Sequence, residues 1–234
     1  MPEVKVNGTS IYYEVNGEGH PLVFIHAGAL ESSSWHPQIV YFSTRYRVIT
    51  YDIRGHGRSG FHEEGYSVDD CIEDLRQLLD HLAVHQTYFA GLSMGGHIAL
   101  KFTLLYPERV AALIVAGTNS GPMTDRVVSL HGEMAARLRA TKGTDSATKY
   151  LRAYEANATR PDITDRLSEI SRPVLILVGD QDMSSPHYIS EEMHRRIANS
   201  QMVVLPNCGH KCNQDQPDVF NSTVSDFLQR IEDA

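Results

Sequence analysis

Gly91-Leu92-Ser93-Met94-Gly95, followed by Gly96, is the stretch of this sequence best suited to do chemistry. It lies between a short apolar run and a helical pattern, so Ser93 falls on a sharp strand-to-helix turn. Such a turn holds its central residue in a strained backbone conformation, and the glycines at 91 and 95 leave room for it. The turn also points the Ser93 hydroxyl out of the sheet and sets it at a helix N-terminus, whose amides favour developing negative charge. That is the setting of a serine nucleophile rather than of a glycine-rich turn with an incidental serine.

A serine hydroxyl attacks only when a base takes its proton, and the base needs an acid to orient it. Among the 12 histidines, His210 has the right position: it follows Met202-Val-Val-Leu205 and a glycine loop, downstream of the serine. The carboxyl ends of parallel strands are where catalytic loops gather in open α/β sheets. The preceding apolar run, Val174–Val178, leads into Gly179-Asp180-Gln181-Asp182 and supplies the acid. Asp182, deeper in the loop, is preferred; Asp180 reads as a turn cap. The oxyanion formed on attack needs two preorganised N–H donors. One is the amide next to the nucleophile, Met94; the other comes from His26-Ala27-Gly28-Ala29, with Gly28 preferred and Ala27 as the alternative.

These residues need elements to hold them. Short apolar runs alternate with helical patterns, the signature of a mostly parallel sheet flanked by helices. Strands are expected near Val4–Val6 and Ile11–Val15, which flank an Asn7-Gly8 turn, and at Leu22–Ile25, Tyr46–Thr50, Thr87–Ala90, Val110–Ala116, Pro173–Val178 and Met202–Leu205. Helices are expected at Tyr66–Leu82, Ser93–Tyr106, His187–Ile197 and Pro217–Ile231. From about Thr118 to Ile170 the apolar spacing loses its regularity. The chain therefore divides into a core of residues 1–117 and 171–234, interrupted by a helical insertion, 118–170.

With these motifs the chain resembles the α/β-hydrolase superfamily, in the branch of small serine esterases, metal-free peroxidases and carbon–carbon bond hydrolases. Besides the Ser93 turn, Asp52-Ile-Arg-Gly-His-Gly-Arg-Ser59 matches the family's D-x-R-G-x-G-x-S, and His26-Ala-Gly-Ala29 its H-G-x-x loop, with Ala27 replacing the usual glycine. Trp35 and Gln38 stand where such proteins often carry W and Q. The resemblance implies an eight-stranded, mostly parallel sheet under a short helical cap. It also implies acyl transfer through Ser93, His210 and Asp182 with no cofactor and no metal. Within that branch, lactone hydrolysis, perhydrolysis, carbon–carbon bond hydrolysis and lyase chemistry stay open, as does a sensor that keeps the triad. His26, Trp35, Met123 and Tyr154 are candidates to touch substrate, and the shortness of the cap predicts short acyl groups or small lactones.

Composition narrows the partners. The 234 residues carry a formal charge of −8, with 21% charged and 41% hydrophobic residues and no run of five or more lysines or arginines. Nucleic-acid binding is not expected. No stretch approaches the ~20 apolar residues that span a bilayer, and the first residues lack the pattern of a signal peptide. A cytoplasmic enzyme acting on a small ester is expected. Cys208-Gly-His210-Lys-Cys212 has ligand-like residue types, but one short cluster does not make a zinc site.

Overall fold

The structure, a computed structural model, describes residues 2–62, 65–122, 128–129, 132–133, 136–137, 140 and 144–233. Its strands are β1 (Glu3–Val6), β2 (Thr9–Asn16), β3 (Pro21–Ile25), β4 (Arg47–Tyr51), β5 (Thr87–Leu92), β6 (Val110–Ala116), β7 (Val174–Gly179) and β8 (Ser200–Leu205). They form one eight-stranded sheet in the order β1-β2-β4-β3-β5-β6-β7-β8. β2 pairs antiparallel with both β1 and β4; every other neighbouring pair is parallel.

Successive residues on a strand face opposite ways, so a strand covered on both faces is apolar throughout. In β3, Val23 and Ile25 enter one apolar cluster while Leu22 and Phe24 enter the other. The first cluster is closed by α2 (Val68–His81), α3 (Met94–Leu105) and α5 (His187–Arg196), through residues such as Leu75, Ile98, Phe102 and Met193. The second is closed by α1 (His36–Phe42) and α6 (Pro217–Glu232), through Phe42, Phe220, Val224 and Phe227. Helix α2 begins with a capping box, Ser67 and Asp70 each satisfying the other's backbone N–H.

Each expected strand and helix is present, with ends shifted by up to two residues. Helix α1 was not expected: it is seven residues long, too short to show a periodicity, and it carries Pro37 in its first turn. Of the insertion 118–170, the structure describes α4 (Thr144–Ala158) and a 3₁₀ turn, Thr164–Glu169, together with the segment 118–122. Met123 lies outside the described residues. Among the described residues no helix is long and apolar enough to cross a membrane.

The order of strands positions the site. The chain passes from β3 to β4 on one side, then crosses back to β5 on the other side of β3. In open α/β sheets a crevice forms at such a reversal, outside the carboxyl ends of the strands. The loops that leave β3 and β5 there are His26–Ala29 and the turn bearing Ser93.

Candidate active site

Ser93 joins β5 to α3 with φ of 54° and ψ of −114°, in the region that side chains rarely occupy. Steric need explains the flanking glycines: a Cβ on Gly91 would strike the Gly95 carbonyl, and one on Gly95 would strike the carbonyls of Ile25 and His26. The Ser93 N–H donates to Ala116 O at the end of β6 (2.8 Å), and its carbonyl accepts from His97 N (3.1 Å) and Thr118 Oγ1 (2.6 Å). The turn is thus fastened from both sides, and the Ser93 side chain stays partly exposed.

The structure brings Asp182 and His210 together. His210 Nδ1 lies 2.9 Å from Asp182 Oδ2 and 3.1 Å from Oδ1. The Asp182 side chain is fully buried, while that of His210 is 28% exposed, so the ring can meet a bound molecule. Asp182 Oδ1 also accepts the backbone N–H groups of Ser184 (2.8 Å) and Ser185 (2.9 Å), which fix the carboxylate against the ring. The end of β6 joins the two halves. Gly117, at φ +51°, leaves space where a Cβ would lie 2.9 Å from His210 O and 3.2 Å from Asp182 Oδ2. Ala116 therefore holds the serine while Gly117 backs the Asp–His pair.

Asp180 does not cap its own turn. Its Oδ1 accepts the Cys208 N–H (3.1 Å) across the two loops, Gln181 N donates to Cys208 O (3.0 Å), and Asp215 accepts from Gly209 N (3.0 Å). The first two bonds stitch the histidine loop to the aspartate loop, and the third lies within the histidine loop itself. Gly117 escapes sequence reasoning, because its role depends on which loops lie side by side.

Gly28 packs beside Met94: a Cβ on Gly28 would lie 3.5 Å from Met94 Sδ. Among the described residues, neither the Gly28 nor the Met94 N–H has a hydrogen-bond partner. Their directions are set from behind, because C=O and N–H point opposite ways across a trans peptide. Ala27 O accepts from His26 Nδ1 (2.8 Å) and Leu30 N (3.1 Å), which turns the next N–H, that of Gly28, the other way.

Two of the expected substrate contacts are corrected. His26 is fully buried, and its Nε2 accepts from Ile53 N (2.9 Å), so both ring nitrogens are engaged inside the protein. Burial, then the neighbouring His56, lowers its pKa to about 3. It organises the loop and has no free surface for a substrate. Trp35 is likewise fully buried, its ring centroid 4.9 Å from that of Phe24 and 5.9 Å from that of Phe220. Gln38 is buried too, bonding Asn213 O and Asn221 Oδ1 (both 3.0 Å) and tying α1 to the C-terminal helices. Tyr154 sits half-buried on α4, one turn from Tyr150, with its hydroxyl pKa raised by burial. Asp52 and Arg54 organise their loop: Asp52 accepts the N–H groups of Ser32 and Arg58 (both 2.8 Å), and Arg54 pairs with buried Asp74.

Fold and sequence agree on the class. Residues 20–130 match the α/β hydrolase fold family, and residues 143–232 match the family described as TAP-like protein. The chain belongs to the α/β-hydrolase superfamily and is a hydrolase of it. It is similar to 3-oxoadipate enol-lactonase 2 of Acinetobacter baylyi, at 30% identity over 90% of this chain and 89% of the relative. It is also similar to a 2-hydroxy-6-oxononadienedioate/2-hydroxy-6-oxononatrienedioate hydrolase of Burkholderia vietnamiensis, at 28% identity over 94% and 91%. A solved thermophilic esterase from Thermogutta terrifontis superposes with a TM-score of 0.88 at 27% identity, covering 99% of each chain.

Proposed function

We propose that this protein is a serine hydrolase of carboxylic esters with short acyl groups or of small lactones, working through an acyl-enzyme on Ser93. The observation that carries the reading is the Asp182–His210 pair, seated on Gly117 next to the residue that holds Ser93. An enol-lactonase and an esterase among the similar proteins support the ester class.

In this reading His210 takes the Ser93 proton as Oγ attacks the carbonyl carbon. Asp182 Oδ2 accepts from His210 Nδ1–H, leaving Nε2 as the base and stabilising the imidazolium once it forms. The Gly28 and Met94 amides receive the oxyanion. The imidazolium returns its proton to the departing alkoxide; for a lactone, that alkoxide remains tethered to the acyl group. Water, deprotonated by the same histidine, then attacks the acyl-enzyme and releases the acid and Ser93. Each proton taken is returned, so no further reagent is needed.

The test is turnover of p-nitrophenyl acetate, butyrate and decanoate and of an enol-lactone by the wild type and Ser93→Ala. The variant should fold normally and lose at least about 10³-fold in kcat. The wild type should prefer acetate or butyrate to decanoate. Activity of Ser93→Ala within about tenfold of wild type would falsify the nucleophile assignment, whereas a decanoate preference would overturn only the short-chain reading.

A further inference from the structure

We propose that Thr118 is a positioning residue for the oxyanion site: its hydroxyl, bonded to the Ser93 carbonyl, sets the Ser93–Met94 peptide so that the Met94 N–H faces the reacting carbonyl. The inference rests on the acyl-transfer reading above and extends it to a residue outside every motif in the sequence.

Thr118 is buried, only 2% exposed, and its Oγ1 lies 2.6 Å from Ser93 O. A peptide is planar and trans, so the direction of the Ser93 C=O dictates that of the Met94 N–H. Ser93 sits in a strained conformation at φ 54° and ψ −114°. Strain of this kind persists only where the surroundings hold it, and rotation of the following peptide is the direct route to relief. The helical bond from His97 N (3.1 Å) is one restraint on that carbonyl, and the Thr118 hydroxyl is the second. A donor on the carbonyl also polarises the peptide and strengthens its N–H as a donor. Gly28 is served in the same way from the other side, by His26 Nδ1 on Ala27 O.

Gly96 gives independent support. It lies outside the G-x-S-x-G motif, so the tight turn itself does not call for it. A Cβ there would come within 2.7 Å of Thr118 Cβ and 2.8 Å of its Cγ2. Glycine at 96 is what lets Thr118 approach the turn closely. The segment that carries Thr118 is itself anchored: Gly117 O accepts from Ser185 Oγ (3.0 Å), Asn119 O from His97 Nδ1 (3.2 Å), and Gly121 O from Arg160 Nε (3.0 Å).

The experiment compares Thr118→Val, which keeps the shape and loses the hydroxyl, with Thr118→Ser, which keeps the hydroxyl. Each is assayed for kcat and KM on p-nitrophenyl butyrate, and for affinity for butylboronic acid, whose tetrahedral adduct on the serine mimics the transition state. Thr118→Val should lower kcat about tenfold, a fraction of the loss when an oxyanion donor is removed outright. Its KM should stay within twofold, and boronate affinity should fall in step with kcat/KM. Thr118→Ser should retain wild-type kcat. If Thr118→Val does not fold, the Ser and Ala variants, which both lack the methyl, make the same comparison of hydroxyl against none. The proposal is overturned if the variants without the hydroxyl match those with it, or if boronate affinity is unchanged while kcat falls. Ser93→Ala, assayed beside them, separates the two readings: its retention of activity overturns both, its inactivity leaves Thr118 judged by its own variants.

Discussion

Two histidines border the same short segment at the end of β6 and have opposite surroundings. His97, one helical turn after Ser93, is fully buried; its Nδ1 faces Asn119 O at 3.2 Å, and its Nε2 is buried without a hydrogen-bond partner among the described residues. Burial, then the positive charge of nearby Arg160, lowers its pKa to about 3. His210 leans against Gly117 two residues earlier in that segment, partly exposed, with a buried carboxylate on its Nδ1. A carboxylate partner lets an imidazole carry the positive charge that a general base must hold in mid-reaction. A buried site beside a cation forbids it. On the proposed mechanism it is the Nδ1 partner, and not proximity to the serine, that selects the base.

The largest effect expected from breaking this contrast comes from the carboxylate. Asp182→Asn should lower kcat by about 10⁴-fold while leaving the fold intact, because it favours the wrong tautomer of His210 and removes the charge that stabilises its cation. Asp180→Asn, two residues away, should cost no more than about tenfold, since among the described residues the Asp180 carboxylate bonds only the Cys208 backbone. Comparable losses in the two variants would contradict the choice of Asp182 as the orienting acid.

A smaller effect is expected from His97, and it should appear in stability. Its folded pKa, about 3, lies below the ordinary unfolded value near 6.5, so the unfolded chain binds the extra proton between those values. The stability it contributes is complete above pH ~6.5 and is lost as the pH falls below it. Between pH 7 and pH 5 this amounts to about 2 kcal/mol for one such histidine. His26 has the same sign and adds to the slope. Urea unfolding of the wild type should therefore show stability falling over this range, and His97→Asn should flatten the fall by about 2 kcal/mol while retaining hydrolase activity within tenfold. An unchanged slope in the variant would show that His97 is not the neutral, buried group described.

Much of this was legible in the sequence, and the exceptions have physical causes. The glycines around Ser93, the apolar runs of β3 and β5 to β7, and the loop positions of Asp182 and His210 all follow from local sterics and from where strands end. His26 and Trp35 were misplaced because sequence position near a catalytic loop does not say which way a ring points. His26 follows the last residue of β3 and turns inward to Ile53 N, and Trp35 fills the core against Phe24. Helix α1 is too short to show a period. Thr118 and Asp180 act across loops far apart in the chain, so only the folded arrangement reveals what they bond.

The most direct measurement is covalent labelling of the nucleophile. The wild type, His210→Asn and His97→Asn would each be treated with diethyl p-nitrophenyl phosphate, the rate of p-nitrophenol release followed, and the modified peptide sequenced by mass spectrometry. The wild type and His97→Asn should be phosphorylated at Ser93 at similar rates, and His210→Asn at least about 10³-fold more slowly. A label on any other residue, or equal labelling of Ser93 when His210 is gone, would contradict the assignment of Ser93 as a nucleophile activated by His210.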